Sequence, residues 1–116
     1  MNSKDFEKLN EKKIKECLAL MGVKSDEYAT KDVLHNFKVA GEVQGCTPIK
    51  ALGGMMCKHT VSVYDLIRDF DAGKTIHISI WNEKINDSIN YLLLLNALII
   101  EDLQANTPLL DKIKEK

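Results

Sequence analysis

The sequence predicts an all-α fold, a small bundle of about four helices with a short C-terminal tail helix. Gly and Pro are scarce, 6 and 2 in 116 residues, so little interrupts helix. Apolar residues recur at spacings of three and four through most of the chain. Start and stop signals bracket those segments, with Thr47-Pro48 and Thr107-Pro108 as starts and Gly22, Gly45 and Gly73 as stops. A 13.1 kDa chain with 45% hydrophobic residues makes one domain, residues 1–116, or a subunit that completes its core by oligomerising.

The first helix, residues 3–21, places Phe6, Leu9, Ile14, Cys17, Leu18 and Met21 on an apolar side and stops at Gly22. Glu7, Glu11 and Glu16 read as a solvated face paired with lysines rather than as ligands. Residues 24–30 lack periodicity and form a loop holding Asp26, Glu27 and Tyr28. A short second helix opens at Thr30 or Asp32, runs through His35, Asn36 and Phe37, and closes at Gly45. Phe37 is placed in the core. His35 and Asn36 sit at its edge, where capping or packing competes with substrate contact.

The third helix starts with Thr47 as N-cap and Pro48 at the first helical position, and runs to about Asp71. Ile49, Leu52, Met56, Val63, Ile67 and Phe70 give it a near a/d pattern, with His59 in an inward place. Lys58, Ser62, Asp65 and Asp69 follow one line at i, i+4, i+7 and i+11. Gly53 and Gly54 cost about 1 kcal/mol each relative to Ala, which points to a close helix crossing, an approach to a ligand, or a kink. Residues 74–79 form a linker too short for a sheet, and Ser79 caps the fourth helix, which reaches about Gln104.

That fourth helix opens with Trp81-Asn82-Glu83-Lys84-Ile85-Asn86-Asp87-Ser88-Ile89-Asn90-Tyr91. Glu83, Asp87 and Asn90 fall at i, i+4 and i+7 on one stripe, with Lys84 beside it. Trp81, Ile85, Ile89, Leu92, Leu95 and Ile99 fill the other side, so the helix should be largely buried yet carry acids. Buried carboxylates need a cation or a donor network.

Composition narrows the function classes. A net charge of -1 gives no electrostatic basis for nucleic-acid or polybasic membrane binding. No segment reads as a signal peptide or membrane span, and the apolar run over residues 91–100 is broken by Asn96. Cys17, Cys46 and Cys57 are odd in number and unpaired in spacing, as expected of reduced thiols in a cytoplasm. Glycine-rich phosphate loops, nucleophile elbows and H-E-x-x-H motifs are absent. Paired acids on facing helices are how a bundle holds a hard divalent cation such as Mg²⁺, with lysines meeting phosphates as point charges. Glu83 and Asp87, Asp65 with Lys58 and His59, and Asp26 or Glu27 supply such a set.

Four segments carry a resemblance. Lys24-x-Asp26-Glu27-Tyr28, His35-Asn36-Phe37, Gly54-Met55-Met56-x-Lys58-His59-x-Val61-Ser62-x-x-Asp65 and Trp81-x-Glu83-Lys84-x-x-Asp87-x-Ile89-Asn90-Tyr91-Leu92 resemble the phage and prophage family called nucleotide modification associated domain. That family is similar in pattern to the MazG-like all-α nucleoside triphosphate pyrophosphohydrolases. The resemblance covers residues 24–101. It implies an all-α bundle, often a homo-oligomer, linked to phage nucleotide metabolism.

The pyrophosphohydrolases bind Mg²⁺ through E-x-x-E on one helix and E-x-x-D on the next. Here the late pair is Glu83-x-x-x-Asp87, with Lys84 at the position of the missing glutamate, and E-x-x-E does not occur. On the hydrolase reading Asp65, Glu83 and Asp87 hold metal and serve catalysis, and Lys58 and Lys84 meet phosphates. Glu27, Tyr28, His35, Asn36, His59 and Asn90 complete the substrate-binding set. The alternative is a non-catalytic helical binding or oligomerisation module whose acids form a structural network with Lys and His.

Overall fold

A computed structural model describes residues 1–22 and 32–106. Four α-helices make up the described residues: α1 (Ser3–Leu20), α2 (His35–Gln44), α3 (Pro48–Asp71) and α4 (Ile78–Asn106). The expected all-α bundle is what forms, and no strand occurs among the described residues. The expected tail helix and the residues 24–30 loop lie outside them.

Local chemistry sets the helix ends. Asn2 caps α1, its side chain accepting from the Asp5 amide at 2.8 Å. Thr47 caps α3, its Oγ1 accepting from the Lys50 amide at 3.1 Å, with Pro48 in the first turn as expected. Gly45 closes α2 at φ 68°, the left-handed conformation that a Cβ disfavours. α2 begins at His35, after a turn in which Asp32 Oδ1 accepts from the Leu34 amide at 3.0 Å. Ser79 does not cap α4: it is the second helical residue, and His77 Nδ1 accepts its amide hydrogen at 3.1 Å.

α3 and α4 form an antiparallel pair whose closed end carries an edge-on contact of Phe70 with Trp81, centroids 6.1 Å apart. α2 lies against α3. Leu34 and Phe37 from α2 and its lead-in meet Leu52 of α3 and Leu98 of α4 in a small core, padded by Ile49, Met55, Met56, Tyr91, Leu94 and Leu95. Gly41 makes the α2–α3 corner possible, since a Cβ there would stand 2.7 Å from the Cys46 carbonyl oxygen. Gly53 and Gly54, where a close crossing, an approach to a ligand or a kink is expected, have nothing among the described residues within 4 Å of an added Cβ. Both are exposed positions of α3, and none of the described helices reaches them.

α1 packs on α4 alone among the described helices. Its periodicity promised an apolar seam, yet only Cys17 is buried, while Phe6, Leu9, Ile14 and Leu18 stay exposed. Phe6, Lys13 and Cys17 share a stripe at i, i+7 and i+11. Lys13 and Cys17 meet α4, and Phe6 does not reach cover. α4 itself is not largely buried. Ile85, Leu92 and Ile99, assigned to its core side, are exposed, because α3 occupies only part of that side.

Candidate functional site

Asp87 is the acid of the opening stretch of α4 that the fold turns inward. His59 of α3 faces it, with Nδ1 3.5 Å from Asp87 Oδ2. The imidazole also lies over the Tyr91 ring, centroids 4.8 Å apart and planes tilted by 32°. Tyr91 in turn meets Phe37 edge-on at 6.4 Å. Asp87 and Tyr91 stand one turn apart on α4, so one histidine ring spans both. The inward place expected for His59 is the one it takes. The result is a half-buried polar corner on the flank of the Phe37, Leu52 and Leu98 core.

Further along α4 a shielded polar atom has no partner among the described residues. Asn90, one turn after Asp87, has its Oδ1 shielded from solvent with no donor in reach among the described residues. A buried amide oxygen left without a donor costs about 1–3 kcal/mol. Lys58, beside His59 in sequence, is exposed and holds no ion pair among the described residues. The arrangement therefore offers an imidazole–carboxylate pair against a tyrosine ring, with the exposed Lys58 next to His59 in sequence.

The acids expected to share one cation are dispersed. Side-chain exposure is 58% for Asp65, 64% for Glu83 and 39% for Asp87, so none is a deeply buried charge. Each answers to a different base: Asp65 to Arg68 at 3.9 Å, Glu83 to Lys84 at 3.9 Å, and Asp87 to His59. Asp69, further along the same line, pairs with Lys74 at 3.3 Å. Among the described residues no three of His, Cys, Asp or Glu come together to hold a metal ion. The described residues of one chain thus do not fit a Mg²⁺ centre. His35 and Asn36 are exposed at the start of α2. Glu27 and Tyr28 lie outside the described residues.

The deepest polar group in α4 is a residue that the pattern of acids obscured. Asn86 is 3% exposed and faces α1. Its Oδ1 accepts from Lys13 Nζ at 2.9 Å and from the Cys17 thiol at 3.6 Å, and its Nδ2 donates to Glu16 Oε1 at 3.3 Å. Lys13 Nζ also donates to Asn82 Oδ1 at 3.2 Å and pairs with Glu16 at 3.4 Å. Glu16, read as part of a solvated face, is thus tied into an interhelical network. Burial pushes the Cys17 thiol up from its ordinary pKa, nearby Lys13 pulls it down and Glu16 raises it again. The amide pair Asn82-x-x-x-Asn86 opposite Lys13-x-x-x-Cys17 was the available signal, since both pairs repeat at i, i+4.

A second charged junction joins α2 to the end of α4. Lys38 bridges Asp32 and Glu101. The Lys38 ammonium and the Leu34 amide hold the Asp32 carboxyl below its ordinary range, and the two carboxylates raise Lys38. Comparison with protein-family models, curated proteins and solved structures finds no match to this chain.

Proposed function

We propose that this chain is a nucleotide-binding subunit of a homo-oligomer, and that the His59, Asp87, Asn90 and Tyr91 corner is where the nucleotide docks. The observation that carries the reading is the His59–Asp87 pair set against the Tyr91 ring, with the shielded Oδ1 of Asn90, donorless among the described residues, three residues further along α4. An amide acceptor of this kind suits the N–H edge of a base, and the partly exposed rings of His59 and Tyr91 offer a stacking surface. Lys58 at the rim supplies a cation for phosphate. The family resemblance in the same residues points to the same ligand class, and pyrophosphate release from a nucleoside triphosphate is the reaction it suggests.

Titration calorimetry with the four ordinary dNTPs and base-modified dNTPs, each with and without Mg²⁺, tests the reading. Saturable heat that disappears in His59→Ala and weakens in Asn90→Leu is the expected result. No heat from any nucleotide would sink it. Release of pyrophosphate under the same conditions, abolished in Asp87→Ala, would extend binding to hydrolysis.

One observation favours a second reading. Asp65, Glu83 and Asp87 each pair with a neighbouring base, which is what a structural network does. On that reading the corner only holds α3 to α4. Asp87→Asn would then lower the melting temperature while no nucleotide raises that of the wild type.

A further inference from the structure

The end of α4 borders an open groove of about 370 Å³, with Pro48 and Ile49 of α3 on one side and Leu98 and Ala105 of α4 on the other. Glu101 and Asp102 line it as well. Leu98, Glu101, Asp102 and Ala105 stand at i, i+3, i+4 and i+7, so one face of α4 lines the groove as far as its last turn. The described chain ends one residue later, at Asn106.

We infer that residues 107–116 of the same chain fold back into this groove, with Leu109 and Leu110 set against Ile49, Leu98 and Ala105. The point where the chain leaves the bundle supports this. Asn106 Nδ2 donates to the Asp102 carbonyl oxygen at 3.0 Å and to Asp102 Oδ1 at 2.9 Å, which closes the last turn of α4. Pro108 disfavours a helical Thr107, so the sequence calls for a turn here and not for more of α4. Leu98 lies about 12 Å back along the helix from Asn106, and residues 107–110 can span about 13 Å. The whole groove is therefore within reach of Leu109 and Leu110, which with Ile113 are the large apolar side chains of this stretch.

Charge supports it independently. Glu101 and Asp102 lie near the C-terminal end of α4, where the helix dipole disfavours negative charge, and no basic residue stands in the last turn. Lys38, which also lines the groove, is already shared by Asp32 and Glu101. Residues 107–116 carry Lys112, Lys114 and Lys116 against Asp111 and Glu115, an excess of the cations that this end lacks. The docking does not depend on the nucleotide reading.

Nuclear Overhauser contacts in the methyl-labelled full-length wild type test the inference without any variant. The Leu109 and Leu110 methyls should show contacts to those of Ile49, Leu98 and Ala105. Leu109→Ser/Leu110→Ser should lose these contacts and shift the Ile49 and Ala105 methyl resonances, while those of Ile67 and Ile85, far along the α3/α4 pair, stay in place. Leucine methyls that contact nothing, or that contact only other surfaces, overturn the docking. So does a groove whose Ile49 and Ala105 methyls meet Val23 or Tyr28 instead, or resonance shifts spread evenly over all four reporters. In a half-labelled mixture, contacts found only between copies overturn docking within one chain.

Discussion

α4 holds two neighbours by opposite means. Toward α2 and α3 it presents Leu94, Leu95 and Leu98, which interlock with Leu34, Phe37 and Leu52 and exclude water. Toward α1 it presents Asn82 and Asn86, and the contact is a hydrogen-bonded network around one buried amide. Apolar interlock is roughly proportional to area and tolerant of small shifts. A buried polar network stabilises only when every member is satisfied. The first junction is therefore sized to hold the fold together, and the second to fix where α1 lies along α4.

Breaking the apolar side should cost most. Leu52 has no exposed surface, so Leu52→Ala is expected to remove about 2–5 kcal/mol of stability in urea unfolding, lowering the whole transition. Asn86→Leu attacks the other junction and should cost less, about 1–3 kcal/mol, by stranding Lys13 and Glu16. Its mark is local. Hydrogen exchange should speed up through α1 while α3 keeps its protection, and equal loss of protection in both helices would erase the distinction between the junctions.

Backbone legibility and face legibility part company in this chain. Thr47-Pro48, Gly22 and Gly45 delimit helices because caps and left-handed turns are decided by a few neighbouring residues. The use of α4's faces is decided by what packs there. Apolar residues surround that helix, so periodicity cannot say which side remains open, and Leu92 and Ile99 were assigned to a core they do not enter. The acid stripe was legible as a pattern, yet Asp87 alone turned inward and the adjacent Asn86 became the buried polar group. His59 was readable because its neighbours in the a/d pattern fix its side. Its partner was not, since that depends on the register of α3 on α4.

Glycine substitutions sharpen the same point at smaller amplitude. Gly53→Ala and Gly54→Ala should each stabilise by up to about 1 kcal/mol, because both are helical and open around the added methyl. Gly41→Ala should destabilise, its Cβ driven against the Cys46 carbonyl. Thermal melts of the three variants report both signs.

The smallest expected effect lies at Lys38. The Asp32 pKa is lower in the folded chain than the ordinary value near 3.9. Its contribution is therefore complete above about pH 4 and is lost as pH falls further, through the folded value. The stability advantage of wild type over Lys38→Met should be present at neutral pH and shrink below about pH 4, and a constant difference would detach the bridge from folding.

Cys17 gives the α1 junction a built-in chemical clock. Its thiol is sealed between the helices and donates to Asn86, whereas Cys57 stands in the open and Cys46 is partly accessible. Alkylation of Cys57 therefore measures the reagent. Alkylation of Cys17 measures how often α1 lifts from α4, so a single unmodified sample of the wild-type chain times that opening without any mutation at all.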